Sequence, residues 1–132
     1  MVETRRGIKP LTESQIHLAL MGYVNSLNKD ISRLVFHFPQ EGRRDPRTGA
    51  LLKRMGMKRG VPDIFIMLRR ASYPGAWIEL KTVKGKLTPE QKQFLIDAEE
   101  QGYFTAVTFG LDEALKIIDW YIFKSPSLDK ST

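Results

Sequence analysis

Apolar residues recur every three or four positions near the start of the chain, which predicts a helix with one buried face. The apolar positions of this stretch are Ile16, Leu20, Tyr23, Val24 and Leu27. Thr12 and Gln15 fit a capping box, in which hydroxyl and amide side chains satisfy the free backbone N–H groups at a helix start. We therefore expect the helix to begin after Thr12. Glu13 precedes Ile16 by three residues, so it is expected to project from the buried face.

Two more helical stretches are predicted in the second half of the chain. Thr88-Pro-Glu-Gln91 is a strong helix start, because the threonine suits the N-cap and the proline suits the first helical position. The glutamine supplies the returning side chain of a second capping box. Gly102 is expected to end this helix. A last helix is predicted from residue 112 to about residue 123.

Four apolar segments have the length and composition of strands. They cover residues 34–38, 61–68, 76–81 and 103–109, and a short helix over 48–55 is predicted between the first two. The third and fourth strands flank a helix, so we expect them to be parallel, with a right-handed crossover. The predicted fold class is α/β, a mixed sheet flanked by helices in the order α-β-(short α)-β-β-α-β-α.

The length of 132 residues suits one domain. We expect a mobile N-terminal segment over 1–11, a single domain over 12–123 and a polar tail over 124–132. The sequence has no apolar run that would span a membrane and no apolar signal core at its N-terminus, so the cytoplasm is the expected location. Cysteine is absent, which excludes disulfides, thiolate ligands and thiolate nucleophiles.

The charge distribution favours a polyanionic partner. The net charge is +6, from 21 basic and 15 acidic residues. One segment, in which Asp45 is the sole acidic residue, carries seven basic ones: Arg43, Arg44, Arg47, Lys53, Arg54, Lys58 and Arg59. Such a segment suits a phosphate backbone, and an ordinary solvated loop explains it equally well.

The candidate chemistry lies on two neighbouring strands. Asp63 opens the second strand within Gly60-Val-Pro-Asp63, and Glu79 and Lys81 lie near the end of the third. Side chains alternate along a strand, so Glu79 and Lys81 share a face. If the two strands form an antiparallel hairpin centred near Ala71, Asp63 lies opposite Glu79 and faces the same side. Two adjacent carboxylates repel each other, and a bound divalent cation commonly neutralises this repulsion. Oxygen ligands suit Mg²⁺ or Mn²⁺.

Each motif also has an ordinary structural interpretation. Glu79 and Lys81 alone could form a salt bridge on an edge strand, and Pro62-Asp63 alone could be a turn before a strand. However, Ile78-Glu79-Leu80 has the pattern of a buried strand, where an unneeded charge is costly. The order of the motifs, their placement on strands and their shared face favour a metal site.

These motifs resemble those of the VRR-NUC branch of the PD-(D/E)XK nuclease superfamily. The resemblance rests on Gly60-Val-Pro-Asp63, Glu79-Leu-Lys81 and Gly85-Lys-Leu-Thr-Pro-Glu-Gln91, and it extends from about Thr12 to Tyr121. Many restriction-like nucleases share the first two motifs, whereas the Thr-Pro-Glu-Gln helix start is typical of VRR-NUC. The resemblance implies a restriction-endonuclease-like fold with an α-β-β-β-α-β core, as in stand-alone phage and bacterial members.

The resemblance also implies a role for each residue of the site. Asp63 and Glu79 would ligate Mg²⁺ or Mn²⁺, with the Leu80 carbonyl as a further ligand. Glu13 would contact the metal, directly or through water. Glu13 has a structural interpretation as well, because an acidic residue in the first turn favours the helix dipole.

Lys81 and Gln91 would act on the attacking water and the phosphate. The resemblance implies that Lys81 positions or helps to deprotonate the water, or stabilises charge on the phosphate. Gln91 would orient the lysine or the phosphate, although it also has the capping role. His37 follows an apolar strand and suits a ligand or a general base, but a structural histidine is more common there.

Further basic residues are candidates for binding DNA. Arg43 and Arg44 lie in a turn that corresponds loosely to one in the family. Lys84 and Lys86 lie on a turn after the third strand, close to the candidate site. A solvated turn is an equally good explanation for these two lysines.

The resemblance implies a structure-selective endonuclease that acts on four-way (Holliday) junctions. A junction has near two-fold symmetry, so paired cuts need a homodimer. The final helix carries more apolar surface than one buried face requires, which suits an interface. The expected partner is therefore branched DNA, with no membrane and no small-molecule cofactor besides the metal. The alternatives are a general phage nuclease without junction preference and a non-catalytic DNA-binding module.

Overall fold

A computed structural model describes residues 9–38 and 46–125, and the elements of these two ranges are as follows. The helices are α1 (Glu13–Asn25), α2 (Lys29–Ser32), α3 (Pro46–Arg54), α4 (Pro89–Glu100) and α5 (Leu111–Asp119), which a π-helical turn (Trp120–Lys124) continues. The strands are β1 (Val35–His37), β2 (Ile64–Ile66), β3 (Ala76–Lys81) and β4 (Phe104–Phe109). Within the two ranges, no helix combines the length and apolar character needed to span a membrane.

Capping boxes begin both α1 and α4, as the sequence predicts. Thr12 Oγ1 accepts a hydrogen bond from the Gln15 backbone N–H, and Gln15 Oε1 accepts one from the Thr12 N–H. Thr88 and Gln91 form the same pair of bonds at the start of α4. Because each box satisfies two N–H groups that lack a partner within the helix, it fixes the first turn of that helix.

The four strands form one mixed sheet in the order β1-β2-β3-β4. The pairs β1–β2 and β2–β3 are antiparallel, whereas β3 and β4 are parallel. In the β2–β3 pair Ile64 lies opposite Ile78, and Ile66 lies opposite Ala76. This register confirms the predicted hairpin centred near Ala71, and one further step places Asp63 opposite Glu79.

The strand β2 is shorter than predicted, and the reason lies in Pro62 and Asp63. Proline has no N–H to donate to a sheet ladder. The Asp63 side chain, rather than a backbone carbonyl, accepts the hydrogen bond from the Leu80 N–H at the next position of the ladder. Regular β-sheet pairing therefore stops at Ile64, and at the next position the Asp63 carboxylate accepts the hydrogen bond that a backbone carbonyl of β2 would otherwise accept.

The two faces of the sheet carry different side chains. One face packs against α1 and α5 through a buried aliphatic core that includes Ile64, Ile66, Ala76, Ile78 and Leu80. On the other face Trp77 contacts Phe65 and, from α4, Phe94, with ring centroids 4.5 Å and 4.9 Å away. Glu79 and Lys81 follow Trp77 on this second face, since side chains alternate along β3. The candidate site therefore lies where the sheet passes under the start of α4.

Besides β2, the α2 turn and the last helix differ from the prediction. The helix α2 is a single turn whose start Asn28 caps by accepting a hydrogen bond from the Asp30 N–H. Four residues are too few to show helical periodicity in a sequence. The predicted last helix instead changes to a π-helical turn after Asp119, and Tyr121 and Ile122 are both buried there.

Gly60 is expected to be far less tolerant of substitution than Gly102. Both have positive φ (+89° and +94°), but a Cβ at Gly60 would lie 2.5 Å from the Glu90 carbonyl oxygen, whereas nothing lies within 4 Å at Gly102. Gly102→Ala should cost only the left-handed backbone penalty of about 1–2 kcal/mol. Gly60→Ala should cost about 1–3 kcal/mol more, because the start of α4 must move. Urea unfolding of the two variants measures the difference; equal losses would contradict the close contact.

Candidate active site

Asp63 lies just before β2 and is fully buried. Its Oδ2 accepts a 2.7 Å hydrogen bond from the Leu80 backbone N–H. Its own carbonyl accepts a 2.8 Å bond from the Phe38 N–H, next to β1. These two bonds, one on each side, hold the Asp63 carboxylate between the ends of the strands.

Glu79 lies opposite on β3 and is 2% exposed. Its Oε2 accepts a 3.2 Å hydrogen bond from Gln91 Nε2 and lies 3.4 Å from Lys81 Nζ. Its other oxygen, Oε1, is buried, and no donor among the described residues bonds to it. One side of the carboxylate is thus held by α4 and β3, and the other side is available to a ligand.

Burial makes the Glu79 charge unfavourable. Burial and then the charge of the Asp63 carboxylate raise the pKa of the Glu79 carboxyl from 4.5 to about 8, although the Lys81 ammonium acts in the opposite direction. The cause is that a lone carboxylate loses its hydration on burial and a second negative charge adds repulsion. Without a cation, the pair Asp63 and Glu79 therefore tends to keep one proton.

Gln91 joins the start of α4 to the strand. Its side chain is buried; Oε1 accepts the Thr88 N–H at 2.9 Å, while Nε2 donates to Glu79. The sequence suggested that Gln91 either caps the helix or faces the site. The structure shows both contacts, since the amide oxygen caps α4 and the amide N–H₂ faces Glu79. Its orientation is fixed by the cap, which leaves its N–H₂ aimed at Glu79.

Glu13 and His17 approach Asp63 from α1. One ligand atom of each, together with a carboxylate oxygen of Asp63, lies within 4.8 Å of the others. Glu13 faces the site as expected, but it is exposed rather than buried, because it lies in the first turn beyond the last packed residue, Ile16. Glu13 thus stands at the open side of the cluster and Asp63 at its closed side.

His17 is a site residue that sequence reasoning missed. Its Nε2 lies 3.8 Å from Asp63 Oδ1, and its Nδ1 lies 2.8 Å from His37 Nε2. The sequence spacing could have identified His17, since Glu13 and His17 are four residues apart and therefore share a helix face. The sequence left the role of His37 open, and the structure places it on β1 beside His17. Burial and then the charge of His17 lower the pKa of His37, while the charge of Asp63 raises it.

The Leu80 carbonyl faces the same gap as Asp63. Leu80 lies past the end of β2, and its N–H bonds to Asp63 Oδ2. The N–H and C=O of one strand residue lie on the same side of the strand. The carbonyl is therefore expected to point, within the plane of the sheet, to the edge of β3 that faces β2 and Asp63.

The donor set fits a divalent cation. Two buried carboxylates face each other, and Glu79 Oε1 has no hydrogen-bond donor in the described part of the chain. A cation between Asp63 and Glu79 would offset both the burial of the Glu79 charge and its repulsion by Asp63, and it would satisfy the free oxygen.

Comparisons with known proteins agree with this geometry. The model of the VRR-NUC domain family matches residues 12–110. The chain belongs to the VRR-NUC family. It is also similar to a solved structure described as a VRR_NUC domain protein, with a TM-score of 0.78 and 28% identity over 91% of this chain and 94% of the other. The comparison with curated proteins gives no match. The resemblance seen in the sequence and the α/β fold are thereby confirmed.

The basic residues of this VRR-NUC chain are mostly solvent-exposed. Arg47, Lys53 and Arg54 lie on α3, Lys58 and Arg59 precede Gly60, and Lys84 and Lys86 lie on the turn after β3; all are exposed. Arg43 and Arg44 lie outside the described residues. The lysines of the turn follow Lys81 by three and five residues, so they flank the site in sequence.

The stability of the metal-free VRR-NUC chain is expected to fall as the pH rises from about 4.5 to about 8. The Glu79 pKa is raised from 4.5 in the unfolded chain to about 8 in the fold, so the folded state holds a proton that the unfolded state releases. This contribution is fully present below pH 4.5 and is lost once the pH passes 8. Urea unfolding in EDTA across this range measures it, and a decline that persists unchanged in Glu79→Gln would contradict the assignment.

Proposed function

We propose that this VRR-NUC protein is a divalent-metal-dependent endonuclease that hydrolyses phosphodiester bonds of DNA. The observation that carries the proposal is the pair of buried carboxylates, Asp63 and Glu79, held together beside Lys81. Two buried acids cost folding energy. A bound divalent cation offsets this cost, and a cation next to a lysine suits phosphate chemistry.

Asp63 and Glu79 would hold the ion, with the Leu80 carbonyl as a third oxygen and Glu13 at the open side. A bound divalent ion lowers the pKa of water and neutralises charge that develops on the phosphate. Because all these donors are oxygens, Mg²⁺ or Mn²⁺ is the expected cofactor.

Lys81 and Gln91 supply the remaining chemistry. The Lys81 side chain is 15% exposed, so its ammonium can reach both Glu79 and a phosphate at the mouth of the site. There it orients the attacking water or offsets negative charge on the phosphate. Gln91 holds Glu79 Oε2 and thereby leaves Oε1 for the ion.

The basic residues would bind the phosphate backbone. Lys53→Ala combined with Arg54→Ala on α3 is expected to weaken DNA binding and to reduce the slope of log affinity against log salt by about 2, roughly 0.9 for each lost phosphate contact. Fluorescence anisotropy at several salt concentrations measures the slope. Lys116→Ala is the control, since Lys116 is an exposed lysine on α5, which packs on the face of the sheet opposite Glu79 and Lys81. An unchanged slope in the double variant would exclude α3 from the interface.

We further propose that the substrate is a four-way DNA junction and that the protein acts as a homodimer. The support is the family resemblance and the π-helical turn that follows α5, where Trp120 and Phe123 are 36% and 51% exposed. A dimer would present two copies of the site to a two-fold symmetric junction. From the family resemblance we also propose that it acts in the cytoplasm of a bacterial or phage-infected cell.

A junction with one label on each strand tests this proposal, beside a duplex of the same sequence. The expected result is paired, symmetric nicks on the junction, little cutting of the duplex, and the molar mass of a dimer in light scattering. Equal cutting of both DNAs would instead indicate a general nuclease of the kind that phages use. Tight binding without any cutting would indicate a DNA-binding module, which intact Asp63, Glu79 and Lys81 argue against, because bare carboxylates repel phosphates.

A further inference from the structure

The α1 side of Asp63 carries a polar cluster in which the proposed cleavage mechanism uses Glu13 and Asp63 but gives no role to His17. Asp63 Oδ2 is bonded to the Leu80 N–H, whereas Oδ1 faces His17 Nε2 at 3.8 Å. His17 Nε2 is buried, and no residue in the described ranges forms a hydrogen bond with it. A buried nitrogen without a hydrogen-bond partner destabilises the fold, so its presence suggests that a ligand binds to it.

The contact between the two histidines limits the possible tautomers of His17. If His17 Nδ1 donates to His37 Nε2, then His17 Nε2 carries a lone pair that faces the Asp63 carboxylate. If His37 donates instead, the His17 Nε2 proton faces Asp63 Oδ1 at 3.8 Å, which is too long for a hydrogen bond. Only the first arrangement becomes favourable when a cation is added, because the lone pair and the carboxylate then both bind it.

The separation of the ligand atoms suits a metal ion. Bonds of about 2.0–2.2 Å allow two ligand atoms of one ion to be up to about 4.4 Å apart. The His17 and Asp63 atoms meet this limit at 3.8 Å. Glu13 lies one helical turn before His17 on the same face, and its carboxylate belongs to the same group of atoms. An i, i+4 pair on a helix is a common way to present two metal ligands.

We propose that Glu13, His17 and Asp63 form a site for a first-row transition-metal ion, in which His17 Nε2 is a direct ligand and His37 orients the ring. The imidazole distinguishes this site from one built from oxygens alone. Nitrogen ligands bind Mn²⁺ and later transition metals better than they bind Mg²⁺. His37 accepts the Nδ1 proton and so fixes the tautomer that leaves Nε2 free to bind the ion.

The proposal shares Asp63 and Glu13 with the proposed nuclease site, but metal ligation by His17 does not depend on DNA cleavage. The consequence for activity is a preference among metals. Mn²⁺ should bind more tightly than Mg²⁺, and substitution of His17 should reduce this preference.

Pulsed EPR of Mn²⁺ bound to the untagged 132-residue chain tests the proposal directly. The chain contains two histidines, so any ¹⁴N modulation of an imidazole on Mn²⁺ comes from one of the two. Electron spin-echo envelope modulation should show this ¹⁴N signal in the wild type. His17→Gln should lose it, whereas His37→Gln should keep it. Calorimetry should show about a 10–100-fold loss of Mn²⁺ affinity in His17→Gln and a much smaller change for Mg²⁺.

The outcomes separate this inference from the proposed function. Absence of ¹⁴N modulation in the wild type, or its persistence in His17→Gln, would overturn the assignment of His17. If His17→Gln does not fold, His37→Gln still decides the assignment: a ¹⁴N signal that persists in it comes from His17, and loss of the signal would overturn the proposal. Clear ¹⁴N modulation in a protein that cuts no DNA would leave the metal site intact and overturn only the nuclease proposal.

Discussion

Glu79→Gln is expected to abolish DNA cleavage and, at the same time, to stabilise the metal-free protein. Glu79 is buried beside the buried Asp63, and burial together with the charge of Asp63 raises the Glu79 pKa to about 8. A neutral amide removes the repulsion and can donate a hydrogen bond towards Asp63, while its oxygen can still accept from Gln91. The expected gain at pH 8 in EDTA is about 1–3 kcal/mol.

The same substitution removes a proposed metal ligand, so cleavage should fall by more than about 100-fold. Urea unfolding and a cleavage assay on the same preparation measure the two effects together. Glu99→Gln, on the exposed side of α4, is the matched control and should change neither quantity. A variant that loses stability in EDTA would contradict the account, because it would mean that the Glu79 charge supports the fold rather than function.

Lys81→Ala is expected to reduce cleavage by about 10²–10⁴-fold while the protein still binds a divalent ion. Lys81 Nζ lies 3.4 Å from Glu79 Oε2, on the side of the carboxylate away from the free oxygen. The lysine therefore does not occupy the place proposed for the ion. Its removal takes away a positive charge next to the phosphate, but it leaves Asp63 and Glu79 in place.

Lys92→Ala is the control for Lys81→Ala, because Lys92 is an exposed lysine that follows Gln91 directly and makes no contact with Glu79 in the described structure. Calorimetric Mn²⁺ titration and single-turnover cleavage separate binding from chemistry. If Lys81→Ala lost metal binding and cleavage in proportion, the lysine would serve the metal site only. If it cut DNA at the wild-type rate, the proposed role in chemistry would be wrong.

The hairpin that brings Asp63 and Glu79 together was predictable from the sequence. Its register follows from alternation along the strands and from a turn near Ala71, which has a positive φ of 50°. Both long helix starts were predictable for a similar reason, since a capping box is a local pattern of four residues. Local periodicity and turn chemistry therefore determine most of the fold around the site.

His17 was not predictable in the same way. Its contacts are with His37, twenty residues away, and with Asp63, and both depend on how α1 packs across the sheet. The exposure of Glu13 has a similar origin, because periodicity gives the direction of a side chain but not where the packed surface ends. The α2 turn was missed because a single capped turn has no periodicity.

Cleavage of labelled DNA in Mg²⁺, Mn²⁺ or EDTA, by the wild type beside Glu79→Gln, tests the central claim most directly. The substrates are a single strand, a duplex and a four-way junction of related sequence. The account predicts cutting of at least the junction with either metal, none in EDTA, and none by Glu79→Gln under any condition. Cutting that persists in EDTA or in Glu79→Gln would contradict a metal-dependent site at Asp63 and Glu79. A wild-type protein that binds all three DNAs and cuts none of them would also contradict it.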